Sequence, residues 1–294
     1  MAHTHQVKHN KAFAIGITLN VIYIVIEFVY GLISNSMALI ADAGHNLSDV
    51  FGLLLAWGAA YLASKSPTNK RTYGFRKSTI LASLANAIIL MIAVGAIAVE
   101  SVKRFYQPEV IDSSTIIIVA LIGVIINAVT ALLFFADRKK DLNIKGAFLH
   151  MAADAAVSLG VVVGAVIISY TNWFWIDPVV SFVIIIVITV STWGLLKESL
   201  NLSLDAVPKQ IDIEKVKDYL IGLNGVSNVH DLHIWAMSTT EIALTVHIVK
   251  PESEYEDKFI EEVHEELFEI FGIDHSTIQI EKSDNCNDCS INKV

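Results

Sequence analysis

An α-helical membrane protein, a six-transmembrane-helix bundle with a small C-terminal α+β domain, is the fold class this sequence predicts. Three observations lead there. The chain of 294 residues is 54% hydrophobic and only 17% charged, whereas soluble domains average about 25% charged, which argues against an ordinary soluble enzyme. Its apolar residues gather into six stretches, each meeting the ~20 residues a helix needs to cross a hydrocarbon core of about 30 Å. Its charge is also divided: residues 1–206 carry 14 Lys/Arg against 12 Asp/Glu, and residues 207–294 carry 7 against 18. The last segment is therefore acidic and unsuited to nucleic acid, whose phosphates select basic surfaces.

The six spans are residues 13–33, 37–63, 79–102, 114–136, 146–169 and 174–196. The first contains Glu27 and exceeds the apolar run of about 7 to 15 residues typical of a cleaved signal peptide, so it stays as a membrane helix. Lys and Arg in short loops mark the cytoplasmic side. Segment 64–78 has Lys65, Lys70, Arg71, Arg76 and Lys77, and segment 137–145 has Arg138, Lys139, Lys140 and Lys145, so both loops face inward. The uncharged turns 34–36 and 170–173 lie outside, together with a mixed loop holding Lys103, Arg104, Glu109 and Asp112, a weak contrary signal. Six spans return the chain to its starting side, with both termini cytoplasmic. The expected organisation is an N-terminal arm at 1–12, a transmembrane domain at 13–206, a cytoplasmic domain at 207–283 and a tail at 284–294.

After Pro208 the hydrophobic period changes. Residues 211–223 repeat apolar positions at helical spacing, and Asn224-Gly225 supplies a turn. Residues 226–236 and 241–249 read as strands; in the second, Ile242, Leu244, Val246 and Ile248 alternate with Ala243, Thr245, His247 and Val249. Helical spacing resumes over 255–271, and a short strand follows at 276–281. The order α-β-β-α-β predicts a small sandwich of ferredoxin-like type.

Ionisable side chains inside a membrane helix cost about 2.5 to 3.5 kcal/mol each, so an intramembrane acid is by default a functional hypothesis. The second span concentrates Asp42, His45, Asn46 and Asp49, and the fifth supplies His150 and Asp154. In both, the pattern H-x-x-x-D sets His and Asp four apart, on one helix face. A single such pair is readable as a His bonding its own Asp and gluing helices together, but two matching pairs favour a ligand set. Two imidazoles with two carboxylates suit a tetrahedral Zn²⁺. Depth agrees: counted at 1.5 Å per residue, both pairs fall roughly 13 to 22 Å from the outer boundary. Asp42 serves a proton relay or a structural hydrogen bond, and the same alternatives apply to Asn20, Glu27, Asn46 and Asn127.

The acidic segment holds five His, at 230, 233, 247, 264 and 275, and both cysteines, Cys286 and Cys289. Two closely spaced cysteines do not staple a secreted fold, and C-x-x-C after the domain is half a zinc site or a weak chelator in a disordered tail. His230 begins an H-D-L-H segment, His247 lies in the partnering strand and Glu281 ends the last one, which points to a metal-responsive module. A metalloprotease would need H-E-x-x-H; the nearest match, His264-Glu265-Glu266-Leu267-Phe268, lacks the second His. No enzyme is expected. A metal-gated channel and a non-transporting sensor remain as alternatives.

The chain resembles the cation diffusion facilitators, a family of proton-coupled zinc exporters. The resemblance rests on ADAGHNLSDV in the second span, HMAADAAVS in the fifth, DPVVS opening the sixth and GVSNVHDLHIWAM beginning the tail domain, and it covers nearly the whole chain. It implies that His45, Asp49, His150 and Asp154 form a transport site for zinc, with protons as counter-ion. It further implies a homodimer in a lipid bilayer, alternating between inward- and outward-facing states. His at position 45 resembles the zinc-selective branch. In the tail it implies that His230, His247 and Glu281 share one ion, and that Cys286 and Cys289 join His275 with His3 or His5 of the other subunit; His3, His5 and His9 are equally readable as a mobile zinc-collecting arm. Short loops and the lack of a long His-rich insertion favour a bacterial cytoplasmic membrane.

Overall fold

A computed structural model describes residues 6–135, 142–251 and 256–283. Six long helices come first: α1 (Gln6–Ile33), α2 (Met37–Ala63), α3 (Ser78–Tyr106), α4 (Ser113–Phe135), α5 (Leu142–Thr171) and α6 (Ile176–Ser203). Then follow α7 (Ile213–Ile221), β1 (Asn228–Ala236), β2 (Ile242–Val249), α8 (Glu256–Phe271) and β3 (His275–Glu281). Among the described residues, α2 to α6 are each long and apolar enough to cross a membrane, and Val21–Ile33 of α1 is a shorter apolar stretch. The helical backbone of α1 begins at Gln6, inside the segment expected as an arm. His3 and His5 lie outside the described residues, as do Cys286 and Cys289.

The chain divides into two compact units, residues 1–54 with 86–194, and residues 55–85 with 195–294. The core of the first is built from Tyr23, Leu39, Leu90, Ile116, Val161 and Ile188, among others, drawn from all six long helices. Helix α4 packs along α5 and against α1. Gly123 permits the α1 contact: a Cβ at this position would lie 2.1 Å from the Tyr23 hydroxyl. That hydroxyl donates to Glu27 Oε1 at 2.6 Å and approaches the Val119 carbonyl at 3.4 Å. Large apolar side chains such as Trp57, Tyr106, Val190 and Trp193 are exposed, as befits surfaces solvated by lipid rather than water.

The turn from α1 to α2 passes through Asn35 at φ 60°, a left-handed conformation that Asn tolerates. Asp177 of α6 caps α2 from outside, accepting from the Met37 amide at 2.7 Å, the Ala38 amide at 3.3 Å and the Ser36 hydroxyl. A carboxylate at a helix N-terminus satisfies orphan amides and complements the helix dipole. Lys103 and Arg104 belong to the last turn of α3 and pair with Glu100 at 3.2 and 3.5 Å, and Arg104 also donates to the Asn35 carbonyl. The cations of this mixed segment are thus paired with an acid of their own helix.

In the second unit, α7 starts at its N-cap Asp212, whose carboxylate accepts from the Lys215 amide at 3.4 Å. That hydrogen bond holds the Asp212 carboxyl below its ordinary pKa. Val216 and Leu220 of α7 and Val263 and Leu267 of α8 pack against Leu244, Val246 and Ile248 of the sheet. The strand order is β1-β2-β3, with β1 antiparallel and β3 parallel to the central β2; parallel neighbours need a crossover, and α8 supplies it. The expected alternation along β2 holds only in part. Ala243 and Val249 are buried as well, and Thr245 and His247 alone are half-exposed, because a central strand is covered along more of its length than an edge strand.

The α2–α3 loop belongs to this unit. Arg76 pairs with Glu241 at 2.9 Å, Lys77 pairs with Asp205 at 2.6 Å, and Thr79 Oγ1 accepts from the Thr239 amide at 3.0 Å. The loop therefore rests on the end of the sheet where β1 stops and β2 starts.

Candidate metal centres

Helices α2 and α5 bring both H-x-x-x-D pairs together. His45 Nε2 lies 3.9 Å from Asp49 Oδ2 on its own helix and 3.7 Å from Asp154 Oδ1 across the bundle. His150 Nε2 lies 3.6 Å from Asp154 Oδ2 and 3.3 Å from Asp49 Oδ2. The four contacts close a ring of residues in which Asp154 turns a different oxygen to each imidazole. A tetrahedral zinc with bonds of about 2.0 to 2.1 Å sets neighbouring ligand atoms roughly 3.3 Å apart; the His150–Asp49 contact matches that spacing and the other three exceed it by about 0.3 to 0.6 Å. Asp49, His150 and Asp154 offer ligand atoms all within 4.8 Å of one another; His45 falls outside that group, and its Nε2 approaches the two carboxylates. The two imidazoles meet edge to face with centroids 6.4 Å apart.

Several polar atoms here are buried without a hydrogen-bond partner: Asp49 Oδ2, His45 Nδ1 and Asp42 Oδ1. Buried polar groups are normally satisfied, and exceptions need a cause. Asp49 Oδ2 faces an imidazole nitrogen of each half-site, at 3.9 Å from His45 and 3.3 Å from His150, a position from which it can share a cation or a proton with them. Asp154 is buried while the His150 side chain is 45% and the Asp49 side chain 34% exposed, so the ring is accessible at two of its corners.

A second polar network lies beside the ring. Asp42 Oδ2 accepts from Ser158 at 2.7 Å, Glu27 Oε1 accepts from Tyr23, and Glu27 Oε2 accepts from Asn46 Nδ2 at 3.3 Å. Glu27 and Asp42 are fully buried. Ser158 stands four residues after Asp154, a spacing legible in sequence yet easily passed over in an apolar helix; Tyr23 relates to Glu27 in the same way. Asn127 is buried with an unpartnered Nδ2, and the Asn20 side chain lies outside the described residues.

The sheet makes the second centre. His230 of β1 pairs in register with His247 of β2, and Val249 of β2 pairs with Glu281 of β3. Glu281 thus reaches diagonally across two strands. His230 Nε2 is 3.1 Å from Glu281 Oε2, and His247 Nδ1 is 3.0 Å from Glu281 Oε1. His247 Nδ1 is buried and has no hydrogen bond despite that approach. The three residues form a group whose ligand atoms lie within 4.8 Å, and three protein ligands leave a fourth position open.

Asp231 was not anticipated from the sequence. It adopts φ 52° at the irregularity between His230 and His233, and its Oδ2 lies 3.6 Å from His247 Nε2. The irregular register tips an acidic side chain towards the cluster; the sequence signal is an Asp, tolerant of positive φ, interrupting an otherwise strand-like run.

His275 does not join this group. It starts β3, six residues before Glu281 and hence roughly 20 Å along the strand, and its ring meets Tyr73 edge-on with centroids 5.8 Å apart. Its expected partners Cys286, Cys289, His3 and His5 are outside the described residues. His233 pairs with Asp231 at 3.0 Å, and His264 hydrogen-bonds to Ser276, so neither joins the His230–His247–Glu281 group.

Residues 13–202 match the cation efflux transmembrane domain, and residues 208–283 match the cytoplasmic domain of cation efflux proteins. The chain is similar to the metal cation efflux system protein CzcD of Cupriavidus metallidurans, with 35% identity covering 95% of this chain and 89% of the relative. It is 33% identical to the "cadmium, cobalt and zinc/H(+)-K(+) antiporter" of Bacillus subtilis, covering 99% and 95% of the two chains. The zinc transporter ZitB of Escherichia coli is 32% identical, covering 99% and 96%. A solved metal-bound C-terminal domain of the CzcD transporter is 36% identical, covers 24% of this chain and 99% of that one, and has a TM-score of 0.23. With both domains matched in order along one multi-pass membrane chain, this protein belongs to the cation efflux family of zinc and metal cation transporters, the cation diffusion facilitators.

Proposed function

We propose that the chain exports zinc from the cytoplasm in exchange for protons, by alternating access around His45, Asp49, His150 and Asp154. The observation that carries this reading is the closed ring of imidazole–carboxylate contacts at 3.3 to 3.9 Å between α2 and α5. Moving a dication out of an inside-negative cell costs about 2.3 kcal/mol per charge per 100 mV, so a passive pore would run inward and export needs a second gradient. The ligands supply the coupling. Zinc binds neutral imidazole and ionised carboxylate, so protons and metal compete for the same atoms. Metal enters from the cytoplasm, the bundle rearranges, and external protons displace it; an imidazole then carries a proton back. The name of the B. subtilis relative, with its H(+), supports the counter-ion. A ligand set complete enough to hold zinc tightly would also slow conduction through a channel.

In the same reading both termini are cytoplasmic, in a bacterial cytoplasmic membrane. The basic α2–α3 loop, its contacts within the unit that holds the C-terminal domain and the bacterial relatives support this. The protein acts as a homodimer. Zinc at His230, His247 and Glu281 reduces the repulsion between two acidic domains and favours their approach, so the tail regulates the dimer.

The test is zinc uptake into everted vesicles, with and without an imposed pH gradient, for the wild type and for Asp49→Ala and Asp154→Ala. Gradient-dependent uptake that both substitutions abolish is the expected result; retained uptake in either variant removes the site assignment.

A further inference from the structure

Outside the two candidate metal centres, a cavity of about 460 Å³ lies between the α2–α3 loop and the end of β1. Its lining includes Lys70, Arg71, Arg76 and Lys77 and no Asp or Glu. Arg76 and Lys77 are committed to Glu241 and Asp205 and build the wall. Lys70 and Arg71 have no carboxylate partner among the described residues; Arg71 lies over the Phe75 ring at 4.6 Å. Their turn is fixed by reciprocal backbone hydrogen bonds between Thr68 and Arg71, at 3.0 and 2.9 Å, and by the Gly74 amide donating to the Arg71 carbonyl at 2.9 Å. Gly74 has φ 68°, and a Cβ there would meet the Lys65 carbonyl at 3.2 Å. Tyr73, Trp235 and Met237 complete the lining with aromatic and apolar surface.

We propose that this cavity is a binding site for a phosphate-bearing anion, held by Lys70 and Arg71. Two unneutralised cations in a concave site without competing carboxylates select an anion, and a guanidinium beside an ammonium suits phosphate oxygens. The volume fits a small ligand, within the range of about 300 to 1,000 Å³. The loop leaves one membrane helix at Ala63 and enters the next at Ser78, which places the cavity at the bilayer boundary. Basic pockets at that level attract anionic headgroups, and Tyr and Trp prefer the same depth. An anionic phospholipid is thus one source of the phosphate group, and free phosphate is the other.

The experiment uses the purified full-length protein. Lipid retention is measured by native mass spectrometry after equilibration with phosphatidylglycerol or phosphatidylcholine in neutral detergent, and inorganic phosphate binding by calorimetry. The Lys70→Ala/Arg71→Ala double variant is compared with Lys70→Arg/Arg71→Lys, which keeps the charge, and with Lys215→Ala/Lys217→Ala, which removes two cations elsewhere. Phosphatidylglycerol binding that falls roughly tenfold or more in the first variant alone, with phosphatidylcholine unaffected, supports a lipid source. Phosphate binding lost in that variant, with no lipid preference, supports a soluble one. The proposal is overturned if neither probe binds, if the double alanine variant binds as the wild type does, or if the charge-keeping variant fails while its unfolding midpoint is unchanged.

Discussion

The two candidate metal centres are assembled by different kinds of local structure. In the bundle, each half-site is written by a single spacing: one helical turn sets His45 beside Asp49 and His150 beside Asp154, and only the mutual register of α2 and α5 has to be right. In the sheet, the ligands come one from each strand, with His230 and Glu281 51 positions apart, and they meet only when both pairings and the irregularity at Asp231 are in place. The bundle centre offers four candidate ligands, with His150 and Asp49 open; the sheet centre offers three, all partly buried, and leaves a position open. In the proposed reading, two open ligands suit a cargo that must enter and leave, whereas a partly buried three-ligand group suits a resident ion.

The largest expected effect follows from that difference. Removing a bundle ligand, as in Asp49→Ala or Asp154→Ala, is expected to lower zinc transport at least about 100-fold, since even outer-shell partners of metal ligands cost about 10- to 100-fold. Removing a sheet ligand, as in Glu281→Ala, is expected to leave transport within a few-fold and to abolish any zinc-induced change in the tail domain followed by amide hydrogen exchange. Equal losses at the two centres would erase the division of labour.

Next in size is the response to chelation. Zinc at about 100 times its dissociation constant stabilises the domain that binds it by about 2.7 kcal/mol. EDTA should therefore raise the exchange rate of β2 amides in the wild type and do nothing in His230→Ala/His247→Ala. Gly123→Ala tests the bundle alone: a methyl group against the Tyr23 hydroxyl is expected to cost about 1 to 3 kcal/mol of stability, read as a lower unfolding midpoint with the sheet's exchange unchanged.

The smallest effect concerns Asp212. Its carboxyl is held below the ordinary range by the Lys215 amide, so its stabilisation is present above the unfolded-state pKa and lost as pH falls through the lower folded-state value. Asp212→Ala should speed exchange at the Lys215 amide at neutral pH, and the difference from wild type should vanish in acid.

The legibility of each centre in the sequence follows from the same contrast. The i, i+4 pairs on α2 and α5 are visible because the helix repeat is fixed, and the depth count brings them to one level. Glu27, Asp42 and Asn46 stand out as polar residues in apolar spans, but their partners Tyr23 and Ser158 do not, since a hydroxyl in a helix costs too little to attract notice. The strand order and the reach of Glu281 depend on register, which alternation alone leaves open, and Asp231 enters only through the positive φ at the irregularity. His275 shares the domain's histidine richness with His230 and His247 yet sits at the other end of the sheet. Lys103 and Arg104 read as loop charges until the last turn of α3 pairs them with Glu100.

Zinc binding to the full-length protein with its cytoplasmic ligands removed, by His230→Ala, His247→Ala and Glu281→Ala together with Cys286→Ser and Cys289→Ser, addresses the shared site directly. One zinc per chain is expected in that background. Replacing either pair, His45 with Asp49 or His150 with Asp154, by alanine should abolish it. If each half-site variant still held one zinc with unchanged affinity, α2 and α5 would not be gripping the same ion.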